Sequence, residues 1–251
     1  MSKHYIEFQN VSKAFGDKQV LREVSFHVDP GETLVILGRS GVGKSVTLGH
    51  IMGFLKPDSG CIWVAGENIN DFSEAELQHL HTKVTMVFQS GALFDSLTIF
   101  ENVAFPLRQR KGYNEANIEE VVNGLLDLLE IREFAEAFPS ELSTGNKRAA
   151  AIARALAARP EAILYDEPTT MVDPVMSEHI VALIERLKQQ LRLTSVVVTH
   201  DTKLAKRVAD RIVFLEDGRV VFFGTSGELA AHSDAQMREF FREDELPVVM
   251  E

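Results

Sequence analysis

The sequence has a single cysteine, no long apolar run and fewer basic than acidic side chains. These three features argue against an intrachain disulfide, a membrane-spanning helix and nucleic-acid binding, respectively. Cys61 has no second cysteine to pair with among the 251 residues, so an intrachain disulfide is excluded and a reducing compartment is expected. Cys61 lies in the run Cys61-Ile62-Trp63-Val64, which predicts a buried strand and an inert thiol. The fold must therefore be stabilised by its core alone, for which this chain length is sufficient.

The other two shortages concern membranes and nucleic acids. No segment approaches the roughly 20 apolar residues of a membrane helix, and the opening MSKHYIEFQN has no signal-peptide core. We therefore expect a soluble, cytoplasmic chain. The formal net charge of -11 opposes binding to phosphate backbones, so nucleic acid is not an expected partner.

Apolar runs of strand length alternate with helical patterns, which predicts an α/β fold. We expect a mostly parallel sheet, preceded by an antiparallel β part and interrupted at about 90–158 by a helical subdomain with little strand signal. Residues 1–251 would form one domain, with a C-terminal extension from about 225. The strands are expected at 32–37, 162–165, 195–198, 212–215 and 220–222.

A glycine-rich segment follows the apolar run at 32–37 and precedes a helical pattern. In a phosphate-binding loop the glycines let backbone N–H groups turn towards the phosphates, Lys44 neutralises the β- and γ-oxygens, and the Ser45 hydroxyl binds Mg²⁺. The segment matches that pattern in full and predicts nucleoside-triphosphate binding by Gly38, Arg39, Ser40, Gly41, Val42, Gly43, Lys44, Ser45 and the following Val46.

A second apolar run, at 162–165, ends in two adjacent carboxylates. Because successive side chains of a strand point in opposite directions, Asp166 can lie near Mg²⁺ while Glu167 polarises the attacking water. Alone, such a pair could be a solvated acidic turn. With the phosphate loop upstream, it predicts hydrolysis of ATP with Mg²⁺ as cofactor.

Further motifs occur in a recognisable order, and with them the chain resembles the ATPase domain of ABC proteins over nearly its whole length. They are the phosphate loop, Gln89 after a strand, Leu142-Ser143-Thr144-Gly145-Asn146, Asp166-Glu167, Asp173, and His200 after a strand. The order carries the resemblance, because alone Gln89 and His200 are ordinary polar residues.

The resemblance implies a role for each matching residue. Gln89 would contact Mg²⁺ and the water, His200 the γ-phosphate, and Phe15 the adenine ring, although Phe15 could instead pack in the core. The implied catalytic residues are thus Glu167, His200 and Gln89, and the implied metal ligands are Ser45, Gln89 and Asp166.

The signature residues imply a homodimer. In this family Ser143 and Gly145 complete the ATP site of the opposite subunit from a helix N-terminus, and Asp173 lies in the loop at the dimer interface. A chain with one phosphate loop and one signature must pair with a second copy to bind two ATP molecules.

The chain departs from the usual family pattern around these motifs. Thr144 replaces a glycine, Asn146 a frequent glutamine, and the arginine expected at 149 is Ala149, with Arg148 one place earlier. Met171-Val172 also precedes Asp173 where a small residue and leucine are usual. These departures bear on the efficiency of hydrolysis.

The residues after Gln89 indicate the kind of transporter. Leu93 and Phe94 belong to an apolar stretch that in ABC importers receives a helix of the membrane subunit, although core burial is an alternative. This stretch, with Gly43-Lys44-Ser45-Val46 and Asp173-Pro174-Val175-Met176-Ser177, resembles the ATPases of MCE-associated phospholipid transporters. The implied partners are a permease, an MCE-domain protein and a small accessory cytoplasmic protein, at the cytoplasmic face of the inner membrane.

The sequence is also compatible with two other functions, and its C-terminal segment has two possible roles. The chain could serve an importer of amino acids or other small solutes, or act as a weakly catalytic ATP-binding assembly module, as Thr144 and Asn146 suggest. The acidic C-terminus carries Phe240-Phe241 and Leu246-Pro247-Val248-Val249, which predict either an interaction element or a solvated end.

Overall fold

The computed structural model describes residues 3–110, 112–231 and 240. The chain divides into two compact units, of which the first comprises Met1–Asp71 with Val198–Glu251 and the second Phe72–Val197. The boundary before Val198 falls inside strand β8, Thr194–Thr199.

The first unit begins with an antiparallel sheet. Strands β1 (Ile6–Phe15), β2 (Lys18–Val28), β4 (Ser59–Val64) and β5 (Glu67–Asn68) are ordered β2-β1-β4-β5. Ile6 and Phe8 of β1 are buried while Glu7 between them is not, which is the alternation of a sheet with one covered face. The predicted N-terminal antiparallel part is confirmed.

The same unit contains the strand that leads to the phosphate loop. Every residue of β3 (Thr33–Leu37) is buried, as expected for a strand covered on both faces. It pairs in parallel with β9 (Arg211–Glu216), and β9 pairs antiparallel with β10 (Arg219–Gly224). The helices of this unit are α1 (Lys44–Ile51), α7 (Thr202–Val208) and α8 (Ser226–Ala231).

The second unit is largely helical. Its helices are α2 (Glu74–Lys83), α3 (Ile99–Arg108), α4 (Glu115–Leu128), α5 (Thr144–Ala157) and α6 (Pro174–Leu191), with short 3₁₀ turns at Arg132–Phe134 and Pro139–Glu141. Strand β6 (Val84–Val87) pairs in parallel with β7 (Ala162–Asp166). Helix α5, whose buried residues are mostly alanine, packs against α3 and α4.

Side chains define where these helices begin. Thr98 caps α3 by accepting from the backbone N–H of Glu101, whose carboxylate accepts from the N–H of Thr98 in return. Asn114 caps α4 and Ser143 caps α5 with one bond each, in which the side chain accepts from the N–H three residues later.

The helical patterns predicted at 118–129 and 147–158 are confirmed by α4 and α5, whereas α2 and α3 had no sequence prediction. Cys61 lies in a strand as expected, but it is half-buried instead of fully buried, because β4 exposes that face in part. Among the helices of the described residues, none has the length and apolar character needed to cross a membrane. Residues 241–251, with most of the C-terminal element proposed above, lie outside the described residues.

Candidate nucleotide-binding site

The phosphate loop of the first unit contains two glycines in backbone conformations that disfavour a residue with a Cβ. Gly38 has φ 157° and a Cβ there would lie 2.4 Å from the carbonyl oxygen of Leu215, while a Cβ on Gly43, at φ 112°, would lie 2.7 Å from Leu21 Cδ2. The clash at Gly38 is with backbone, which cannot move aside, whereas at Gly43 the Leu21 side chain could shift but the positive φ still strains any residue with a Cβ.

Lys44 is folded back into this loop. Its Nζ donates to the carbonyl oxygens of Gly38 at 2.7 Å and Arg39 at 3.1 Å, and the side chain is almost fully buried. An ammonium held inside a turn of backbone at the start of α1 makes a positive concavity suited to phosphate. Ser45, the next residue of α1, is exposed.

A pocket of about 480 Å³ adjoins the phosphate loop within the first unit. Residues 17–20, at the start of β2, line one side, and residues 40–42 of the loop line another. Phe15 ends β1 opposite Lys18, and its ring is 47 % exposed, so it is not a core residue. The volume is in the range of small-ligand sites. No sequence motif marks Lys18, Gln19 and Val20 as part of this pocket, because only the β1–β2 turn brings them to the loop.

The two carboxylates of the second unit have different surroundings. Asp166 ends β7 half-buried, whereas Glu167 is 8 % exposed with φ 46°, a strained value for a residue with a Cβ. Thr170 holds Glu167 twice: its Oγ1 donates to Glu167 Oε2 at 3.1 Å and its N–H to the Glu167 carbonyl at 3.2 Å. The strained residue is therefore restrained by its own turn.

The signature segment begins helix α5. Ser143 is the N-cap residue, with its Oγ accepting from the N–H of Asn146 at 3.2 Å, and Thr144 is the exposed first residue of the helix. Gly145 is buried beneath Met176 of α6, where a Cβ would lie 2.1 Å from Met176 Cε. Ser143 and Thr144 thus lie at the open end of a helix, where free N–H groups favour an anion.

The remaining candidates lie at the ends of strands. Gln89 follows β6 and is half-buried. His200 follows β8 and is exposed, and the next residue, Asp201, caps α7 by accepting from the N–H groups of Lys203 and Leu204. Asp173 caps α6, its Oδ1 accepting from the N–H groups of residues 175 and 176.

The chain belongs to the ABC transporter family. The model of that family, described as "ABC transporter", matches residues 21–170, which include the phosphate loop, the signature and the paired carboxylates. The chain is accordingly an ATP-binding and ATP-hydrolysing protein of the ABC ATPase type.

Individual relatives carry more specific names. The chain is 38 % identical to the intermembrane phospholipid transport system ATP-binding protein MlaF of Haemophilus influenzae, over 96 % of this chain and 92 % of that protein. It is 35 % identical, over 96 % of this chain and 76 % of the other, to the methionine import ATP-binding protein MetN of Clostridium tetani.

A solved structure supports the fold. The chain matches a dimeric post-hydrolysis state of the ATP-binding cassette MJ0796, bound to ADP and Pi, with a TM-score of 0.80 and 33 % identity over 88 % of this chain and 98 % of the other. The fold predicted from the sequence, a P-loop ATPase of the ABC type, is confirmed.

Replacing Thr144 by glycine should raise ATP turnover. Thr144 adds a β-branched side chain at the exposed start of α5, where the family resemblance implies that a phosphate approaches the helix N-terminus. We expect a gain of about two- to fivefold, equivalent to about 1 kcal/mol or less of the barrier. Steady-state ATPase rates of both proteins measure it, and an unchanged or lower rate would show that Thr144 is accommodated.

Proposed function

We propose that this chain is the ATPase subunit of an ABC transporter that moves phospholipid between membranes. The observation that carries the proposal is its similarity to MlaF across 96 % of the chain. The apolar stretch after Gln89 supports it, since its sequence resembles the ATPases of MCE-associated lipid transporters.

The site residues would divide the work of hydrolysis. The phosphate loop, residues 38–46, holds the triphosphate around Lys44, and Phe15 stacks on the adenine beside the pocket of the first unit. Glu167 polarises the attacking water, a role suited to a buried carboxylate restrained by Thr170. His200 and Gln89 position the γ-phosphate and the water.

Magnesium fits the donors assigned to it. The Ser45 hydroxyl, the Gln89 amide oxygen and the Asp166 carboxylate are all oxygen ligands, the kind that Mg²⁺ prefers. Ser45 is exposed, and the other two are half-buried. When bound, the ion would neutralise charge on the phosphate oxygens.

Two copies of the chain would form the active unit. Ser143 and Gly145 of one copy would complete the ATP site of the other, with Asp173 at the contact between them. The dimeric structure of MJ0796, which is similar to this chain, supports this arrangement. The open N-terminus of α5 is also available to a phosphate that another copy supplies.

A surface of the second unit suits the membrane partner. Phe94 and Phe105 are both exposed, with ring centroids 4.8 Å apart, and the Arg154 guanidinium lies 5.6 Å from the Phe94 centroid. Such an aromatic patch suits the apolar face of an amphipathic helix. A permease would contact the chain here and hold it at the cytoplasmic face of the inner membrane, together with an MCE-domain protein and a small accessory protein.

Similarity to MetN favours a second candidate, an importer of methionine or another amino acid. The same ATP chemistry and the same aromatic patch would serve both transporters, so only the transported molecule separates them.

Transport by the reconstituted complex tests the proposal. The tagged chain is purified from membranes with its bound subunits and placed in liposomes containing a fluorescent phospholipid, with empty acceptor liposomes alongside. We expect ATP-dependent transfer of the phospholipid, lost in the Glu167→Gln complex, and no ATP-dependent uptake of labelled methionine. Methionine uptake without lipid transfer would contradict the proposal and support the second candidate.

A further inference from the structure

Helix α5 carries a buried arginine that reaches two other segments of the second unit. Arg148 is only 4 % exposed. Its Nη1 donates to the carbonyl oxygen of Phe88 at 3.2 Å, and its Nη2 to that of Thr170 at 3.4 Å. A guanidinium can make both bonds at once because its donors lie in a rigid planar fork.

One contacted carbonyl belongs to the residue before Gln89, and the other belongs to a residue that is hydrogen-bonded to Glu167. Phe88 immediately precedes Gln89. Thr170 holds Glu167 through its hydroxyl and its N–H. Because Glu167 has φ 46°, its backbone needs surrounding contacts to keep it there, and Arg148 restrains the residue that supplies them.

Burying Arg148 is energetically costly. Burial lowers the pKa of Arg148, and the charge of Asp166 opposes that shift. Arginine nevertheless keeps its charge at neutral pH, so the protein maintains a desolvated cation here. Nε of Arg148 has no hydrogen-bond partner within the described part of the chain, which adds to the cost of burial.

A second arginine of α5 holds the same segment further along. Nη1 of Arg154 donates to the carbonyl oxygen of Ala92 at 2.8 Å and its Nη2 to that of Gly91 at 3.4 Å. The backbone on both sides of Gln89 is therefore tied to the helix that begins with the signature. Of the two arginines, Arg148 is the one that also contacts Thr170.

We infer that Arg148 is a positioning residue that couples Gln89 and Glu167 to the signature helix, so that both move with α5. The inference rests on the roles proposed above for Gln89 and Glu167 in ATP hydrolysis, and it does not depend on the transported molecule. A shift of α5 displaces the two carbonyl contacts together, because one planar group holds both.

Substitution of Arg148 should reduce turnover without reducing ATP binding. Arg148→Gln removes both bonds, and we expect kcat to fall by about 10- to 100-fold, the effect of small misplacement of catalytic groups. Arg148→Lys keeps the charge but cannot bond both carbonyls in the fork geometry, so its loss should be smaller. The affinity for a fluorescent ATP analogue should stay within about threefold, which is less than 1 kcal/mol.

Matched variants separate positioning from general damage. Arg132→Gln removes an exposed arginine of the same unit, paired with Asp127 at 2.9 Å, and should behave as the parent. Thermal unfolding of each variant checks the fold. If Arg148→Gln does not fold, Arg148→Lys still decides, because a parent-like kcat in that variant overturns the inference.

A double-mutant cycle tests the path to Glu167. Thr170→Val removes the hydroxyl that donates to Glu167 while preserving shape. If Arg148 acts through Thr170, the fold-loss in kcat of the double variant should be smaller than the product of the two single-variant losses. If the two residues act independently, the double-variant loss should equal that product. Multiplying losses would overturn the inference.

Glu167→Gln separates a failure of the role proposed for Glu167 from a failure of the positioning role inferred for Arg148. If it retains parental turnover, the role proposed for Glu167 fails and the inference fails with it. If it abolishes turnover while both Arg148 variants match the parent, only the inference is overturned.

Discussion

Glu167→Gln should lower ATP turnover by about 10²- to 10⁴-fold, the usual contribution of a general base. The amide has nearly the same shape as the carboxylate but cannot accept a proton from the attacking water. The phosphate loop lies in the other unit and is unchanged, so ATP affinity should stay within a few-fold of the parent. Steady-state hydrolysis and equilibrium binding of ATP measure the two quantities.

A trapped dimer should accompany this loss of turnover. If two ATP molecules bind between two copies and are not hydrolysed, the variant should elute as a dimer in ATP and as a smaller species without it. Glu133→Gln, which neutralises an exposed acid of the same unit, should retain parental turnover. Hydrolysis by Glu167→Gln within a few-fold of the parent would reject the role assigned to Glu167.

Replacing Leu93 and Phe94 together by aspartate should abolish assembly with the permease. Phe94 is 43 % exposed, and its backbone is fixed by the buried Asn102, whose Oδ1 accepts from the Phe94 N–H at 2.8 Å and whose Nδ2 donates to its carbonyl at 3.0 Å. The ring is thus presented on a rigid support. Loss of a buried aromatic anchor costs about 2 kcal/mol or more at an interface, and two new charges would add desolvation cost.

Co-purification of the permease measures this effect, with ATP binding as the check that the fold is intact. Phe138→Asp is the matched control, because Phe138 is also 43 % exposed and lies in the same unit, outside the patch of Phe94 and Phe105. The control should retain the permease. Normal recovery of the permease with the double variant would show that the patch is not the contact.

The phosphate loop was predictable from the sequence because its geometry depends on local residue types. Gly38 and Gly43 occupy positions where a Cβ would collide with neighbouring atoms, so the glycine pattern reports the backbone shape directly. The buried strand before it was predictable for the same reason, since an apolar run acts over a few residues. The helix start at Ser143 was implied by the family resemblance, whereas the cap that Asp173 forms on α6 was not predicted.

The exposure of Phe15 and Cys61 was not predictable in this way. An aromatic residue at the end of one strand and a thiol in another are equally compatible with core and surface. The choice depends on which strands cover them, and β1 and β4 leave both partly accessible.

The sequence alone determined the chemistry of this protein. A phosphate loop, paired carboxylates and a signature occur in the order of an ABC ATPase, and each motif is a short contiguous segment. The tertiary structure decided how those stretches are supported. Arg148 contacts Phe88 and Thr170, which are 60 and 22 residues away along the chain. No local pattern encodes such partners, because a buried arginine bonds whichever carbonyls the packing of its helix brings within reach.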